Sequence, residues 1–416
     1  MNEEGLLVIL NALLYSFTLI YLFYKKKEID PSIFILALWS MSGILGVIYF
    51  FSEILRDSPN NITLIPFLYL FILFVITNLF FLKNDFKKIK YIHNKSKLIL
   101  PIIYIIAIIS FLPFVENAIY LIKSMGSDLS TFSEGYLGER NDFADTSGHL
   151  SYIGYHLNII SVYLRYISPV LLFYYLTKTK IKKIVVLGLV FSSLNPALFT
   201  LTYGTRLFAI EDMVFFIFLL LLFKGLINKR ILKWIKIFSI LAISLTFIGF
   251  VMVTISRFEG RSLFLFDWVA RYGGEGFINF NRDMWHIDSF TYGENSFGSL
   301  KYFLGLNSTP RDAFDLQDIT KISMIVFYTY IGNLFSDFGA FFTFVILAVY
   351  SFLIRQTLVV RESISLNKII IICLIAKLSL TGFTFLPFIN VKSIIIAIFF
   401  LISNSILNAF ATVRRT

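Results

Sequence analysis

Between Arg257 and Ser336 the chain carries Arg257, Arg261, Arg271, Arg282, Lys301, Arg311 and Lys321 among nine carboxylates. Arg257 and Arg261 lie four apart in RFEGR. That spacing puts two guanidinium groups on one side of a continuing helix, a fork suited to a diphosphate. Arg206, in TYGTRLFAIED, is predicted at a helix N-terminus, where unpaired backbone N–H groups add to its charge and favour phosphate. With Arg271 and Arg282 these residues form a candidate anion-binding set. RYGGEGFINFNRDMWHID adds four proton acceptors, Glu275, Asp283, His286 and Asp288, together with glycines for close approach. Tyr272, Trp285, Phe290 and Tyr292 are suited to stacking on sugar faces. His286, with an ordinary pKa near 6.5, suits a general base acting on a hydroxyl. The residue types do not decide among the four candidate bases.

The elements that hold these groups are membrane spans. Of 416 residues 57% are hydrophobic, 18% aromatic and only 15% charged, more apolar sequence than a soluble core requires. The net charge of +11 lies in short clusters at the ends of apolar runs, as orientation signals do, which argues against nucleic acid. The one cysteine, Cys373, sits inside an apolar run, so there is neither an intramolecular disulfide nor a cysteine metal site. GxxxxGK[ST], HExxH, EF-hand, GxSxG and Asp-x-Asp patterns are all missing, so no metal and no cofactor is expected.

About 17 to 25 apolar residues cross a bilayer as a helix. That window predicts an all-α polytopic protein, one integral membrane domain over 1–416, with eleven spans near 5–24, 32–52, 62–82, 98–115, 152–177, 184–203, 207–223, 237–256, 337–354, 369–388 and 392–411. The first run follows an acidic MNEEG start without a basic flank or cleavage site and reads as a retained span. Alternate loops collect Lys and Arg, 23 on the Lys25 side against 12 on the other, which predicts an outside N-terminus and a cytoplasmic C-terminus. Two outside loops are long, 116–151 and 257–336. The end of the second, 322–335, is apolar yet cannot cross without breaking this alternation, so an interfacial or re-entrant helix is expected there.

An ionisable side chain in the middle of a span costs about 2.5–3.5 kcal/mol and marks a candidate site. Asn158, Ser161, Arg165 and Ser168 are spaced 3, 4, 3, one helical face that should point inward, with Pro169 bending the helix beside it. Arg165 either meets an anion or pairs with a carboxylate to lock helices. Lys377, Thr381 and Thr384 form a second polar face, and Lys377 either binds an anion or pairs with Glu211 or Asp212. Asp337, at the head of the ninth span, either orients a nearby arginine or takes part in the chemistry itself.

The chain resembles the Wzy-type oligosaccharide repeat-unit polymerases of O-antigen and capsular polysaccharide. The resemblance rests on the number and order of spans, the Tyr203-Gly204-Thr205-Arg206 turn, the large Arg-rich outside loop, and Leu334-Phe335-Ser336-Asp337-Phe338-Gly339 entering the next span. It implies a GT-C-like membrane fold whose long extracytoplasmic loop contains short helices. It also implies metal-independent glycosyl transfer on undecaprenyl-pyrophosphate-linked oligosaccharides at the outer face of a bacterial cytoplasmic membrane. A chain-length regulator and a flippase are the implied protein partners, beside membrane lipid. In that scheme Arg206 and Arg257, with Arg261, Arg271 or Arg282, neutralise the leaving pyrophosphate, and His286, Asp283, Asp288 or Glu275 takes the acceptor proton. A lipid-linked oligosaccharide flippase and an O-antigen ligase are the alternatives.

Overall fold

A computed structural model describes residues 3–52, 54–55, 61–125, 148–202, 207–237, 265–306, 311–384 and 391–413. The protein is an all-α polytopic membrane protein. Among the described residues seven helices are long and apolar enough to cross a bilayer, and a bent pair brings the number to eight. The pair is Tyr152–Tyr166 with Ser168–Leu176, bent by 67° beside Pro169, as a proline that breaks the hydrogen-bond ladder requires. The Leu207–Phe223 and Leu366–Thr381 helices coincide with two further apolar runs but are shorter, at 17 and 16 residues. Most of the expected 237–256 span lies outside the described residues.

The described residues gather into two compact units. The first comprises residues 1–86, 262–360 and 375–391. Its helices Glu3–Lys26 and Pro31–Phe50 are joined by a tight turn. There Asp30 caps the second helix by accepting the Ile33 N–H at 3.0 Å, and Pro31 sits at the first helical position, where its missing N–H costs nothing. Lys26 holds the cap through Asp30 at 2.7 Å and reaches the Asn84 carbonyl at 3.3 Å. The core of this unit is aromatic. Trp39 packs against Tyr15, Phe74, Phe277 and Tyr330 with ring centroids 4.5–5.9 Å apart, and its indole N–H donates to the Ser379 carbonyl at 2.7 Å. Each such ring pair adds about 0.5–1.5 kcal/mol beyond area burial.

The polar tract folds onto this core as the Leu265–Arg282, Glu294–Phe303 and Ala313–Thr320 helices. Residues 274–281 are buried on every side. Gly274 makes this possible, since a Cβ there would stand 2.2 Å from the backbone nitrogen of Gly46. The close approach that Gly273, Gly274 and Gly276 permit is therefore to neighbouring protein. The far end is tied down by Asn281, whose side chain brackets Thr63: its Nδ2 donates to the Thr63 carbonyl at 2.6 Å and its Oδ1 accepts the Thr63 N–H at 2.9 Å.

Residues 322–328 are irregular, and the Thr329–Thr357 helix begins within the segment expected to be re-entrant. That helix is broken at Gly339, which lies at φ 69°, ψ −178°. Its N-terminus meets the end of the Leu366–Thr381 helix head to tail. Thr329 and Tyr330 donate N–H to the carbonyls of Thr384 and Gly382 at 3.0 and 2.7 Å, so orphan groups at both helix ends satisfy one another.

The second unit comprises residues 87–261, 361–374 and 392–416. Its helices Ile99–Ile109 and Lys183–Thr202 cross where Gly188 meets Ala107, and a Cβ on that glycine would stand 2.6 Å from the alanine methyl. Two three-residue strands, Tyr91–His93 and Ser363–Ser365, pair in parallel, with Lys90 and Glu362 bridging at 2.7 Å beside them.

Candidate functional site

In the first unit the Leu265–Arg282 helix and the turn after it carry two arginine–carboxylate pairs. Arg271 and Glu275 lie one helical turn apart and pair at 3.0 Å. Arg282 chelates its neighbour Asp283 with two bonds of 2.8 Å. Both guanidinium groups are only partly covered, whereas the Glu275 side chain is 4% exposed. The pairs share one electrostatic environment: Glu275 feels Arg282 as well as Arg271, and the Tyr49 and Tyr328 phenols feel Glu275, Arg282 and Asp283. Burial pushes the Glu275 carboxyl above the ordinary glutamate range, and Arg271 only partly offsets this. Glu275 also accepts the Phe327 N–H at 3.4 Å. The arrangement offers two cations that can exchange a carboxylate for a phosphate, next to a carboxyl made more basic by burial.

His286 ends a short 3-10 turn, and it and Asp288 are exposed. Trp285 is packed against Tyr69, Phe280 and Phe335, and Phe290 against Phe335. Tyr272 and Tyr292 present exposed rings. Arg206, Arg257 and Arg261 lie outside the described residues.

Among the described residues the partners of Asp337 are the Thr291 hydroxyl and the N–H groups of Gly293, Asn295 and Ser296, the last three at 2.8–3.0 Å, and no arginine. It is a capping carboxylate supplied from a distant helix to the N-terminus of Glu294–Phe303, where the orphan donors and the helix dipole both favour an anion. The Phe290 ring lies 2.9 Å from where a Cβ on Gly339 would stand, so glycine is required there for space as well as for φ.

Lys377, Thr381 and Thr384 are buried together, and both threonine hydroxyls donate to the carbonyls of their own helix end, Lys377 and Thr381, at 3.2 and 2.7 Å. This polar face is real, but its hydroxyls serve the backbone.

The stripe of the second unit meets a polar partner at every step. Asn158 accepts amide N–H from Asn195 and Asn117, Ser161 donates to Ser110, and Ser168 pairs with Ser192. Arg165, 1% exposed, bonds Glu211 at 2.8 Å and Asp212 at 3.0 Å and lies 3.9 Å from the Phe208 ring centre. The pairing reading of Arg165 is the one realised. Asn117 also donates to Asn195 and accepts from His149 at 2.8 Å, which completes a buried amide cluster. Asn195 escaped the sequence reading as a single amide in its apolar run, and Asn117 because it follows Glu116 at the start of the loop expected over 116–151. For Asn195 the amide within the run was itself the signal, since a polar group at that depth needs partners on other helices. Comparison with protein-family models, curated proteins and solved structures finds no match for this chain.

Proposed function

We propose that the protein is a membrane glycosyltransferase. It polymerises undecaprenyl-pyrophosphate-linked oligosaccharide repeat units into O-antigen or capsular polysaccharide on the outer face of a bacterial cytoplasmic membrane. The observation that carries this reading is the half-open cluster of Arg271, Glu275, Arg282 and Asp283 on an otherwise buried tract. In this scheme Glu275 is the base. It takes the proton of an acceptor hydroxyl as that oxygen bonds the anomeric carbon of the donor, and the bond from that carbon to pyrophosphate breaks. Arg271 and Arg282 neutralise the departing diphosphate, an electrostatic role in which donors are aimed where charge develops. The sequence resemblance implies the same role for Arg206, Arg257 and Arg261, which lie outside the described residues.

The reading takes the chain as eleven crossings of GT-C-like type, with N-terminus outside and C-terminus cytoplasmic. Three pairings support that alternation of sides, each joining segments assigned to one side, while the orientation itself rests on the Lys and Arg bias of the loops. Lys26 bonds Asn84, the 91–93 strand pairs with 363–365, and Asn281 brackets Thr63.

The test is complementation of a strain lacking its own repeat-unit polymerase, read as a ladder of polysaccharide lengths. Loss of the ladder in Glu275→Gln and Arg282→Ala, at unchanged protein level, is the expected result. A normal ladder from both removes the site assignment, and single-unit lipid accumulating on the inner face identifies a flippase instead.

A further inference from the structure

Within the second unit a cavity of about 740 Å³ opens between the Asn94–Leu100 segment and the turn that links Ser168–Leu176 to Lys183–Thr202. Lys97, Lys178, Lys180 and Lys182 line it, and no carboxylate does. Among the described residues none of the four forms an ion pair. Lys178 is half-buried with its ammonium 4.0 Å from the Tyr174 ring centre, and burial lowers its pKa, as expected for a cation short of water and without a counter-anion. Lys182 stands 5.5 Å from the Tyr104 ring centre, and its backbone N–H donates to the Tyr175 hydroxyl at 3.2 Å, which fixes the turn.

Four cations around a cavity with no acid call for an anion. The remaining walls narrow its nature. Ile99, Leu100 and Ile181 line the same space, and the Ile99–Ile109 helix that leaves it is almost wholly apolar. A free phosphate has no use for such a wall, whereas a lipid lays its chains along an apolar helix and its headgroup among lysines at the helix end.

We propose that this cavity binds the phosphodiester headgroup of an anionic membrane phospholipid, its phosphate held by Lys97, Lys178, Lys180 and Lys182. The lysine excess of these loops assigns the lipid to the cytoplasmic leaflet; the site stands whether or not the chain is a polymerase.

Thermal unfolding of the purified, delipidated full chain tests this, with dioctanoyl phosphatidylglycerol, dioctanoyl phosphatidylcholine and inorganic phosphate as probes. A saturable rise in Tm with phosphatidylglycerol alone is expected. Lys178→Gln/Lys182→Gln should cut that rise to the phosphatidylcholine level, while Lys25→Gln/Lys27→Gln, in a basic cluster of the other unit, should keep it. Should the first pair not fold, Lys97→Gln/Lys180→Gln, on exposed side chains, carries the same expectation. A full rise in the cavity variants, an equal loss in the Lys25/Lys27 control, or an equal rise with inorganic phosphate would each overturn the lipid assignment.

Discussion

Among the described residues arginine meets carboxylates in two arrangements, one in each compact unit, and they differ in how far water reaches them. Around Arg165 the guanidinium and both carboxylates are at most 4% exposed. The Arg271 and Arg282 side chains are 30% and 20% exposed and Asp283 is 25% exposed, although Glu275, at 4%, is as buried as the partners of Arg165. The chemistry is the same and the consequence is opposite. A fully buried pair is held by the cost of separating its charges, so it locks helices. A pair with both partners partly in water, as Arg282–Asp283 is, loses little when a partner is exchanged, so it can take a ligand phosphate in place of its own carboxylate.

The sharpest way to break this contrast is Arg165→Met. It leaves Glu211 and Asp212 with an uncompensated buried charge and should cost about 3–5 kcal/mol, seen as loss of folded protein in membranes. Neutralising the carboxylates as well, with Glu211→Gln and Asp212→Asn, should recover most of that loss. A single variant as stable as wild type would remove the locking role.

Asp337 extends the comparison to a carboxylate satisfied by backbone alone. Asp337→Ala orphans three N–H groups and a hydroxyl, and charged hydrogen bonds contribute about 1.5–3 kcal/mol each, so a drop of at least about 2–4 kcal/mol is expected in thermal unfolding. Asp337→Asn, which keeps one acceptor, should lose less. An Asn variant as poor as Ala would mean that the negative charge at the helix terminus matters more than the number of acceptors.

What the sequence revealed follows the range of the interaction. The 3, 4, 3 stripe from Asn158 to Ser168 is buried and the chain bends beside Pro169 as expected, but the bend falls between Arg165 and Ser168, so the stripe runs over an α-helix, a 3-10 turn and the start of the next helix. The 207–223 apolar run became a helix with the same bounds. The Asp337 cradle, by contrast, joins residues more than forty apart, and the Trp39 bond to Ser379 spans 340 positions. Nothing in the local pattern encodes such a partner. The two strands are three residues each, too short for an alternating pattern to stand out. Gly273, Gly274 and Gly276 were legible as sites of close approach, but whether a ligand or another helix approaches is decided by tertiary packing.

Glu275→Gln separates activity from stability at the open site. The folded pKa of Glu275 is raised by burial, so its contribution to stability is full below the ordinary glutamate value near 4.3 and is lost as pH rises through the elevated folded value. A scan of Tm from about pH 4 to about pH 8 should therefore show a fall in wild type that the Gln variant lacks. At neutral pH the variant should be no less stable, because burial outweighs the Arg271 pairing, yet it should make no ladder. If wild type and variant share one pH profile, Glu275 is not the strained group of the cluster.

A small loss of stability is expected from Arg282→Gln, and it is the most telling for the comparison with Arg165. The Arg282–Asp283 pair is between adjacent residues and partly in water, so removing it should cost under about 1 kcal/mol, several-fold less than removing Arg165. Raising salt should weaken what little it contributes and leave the Arg165 contribution almost untouched, since screening acts on pairs that solvent can reach. Tm measured for both variants at low and high salt reads this directly. A large, salt-insensitive loss from Arg282→Gln would make the two arrangements alike, and Arg282 would then be a helix lock with no freedom to meet a pyrophosphate.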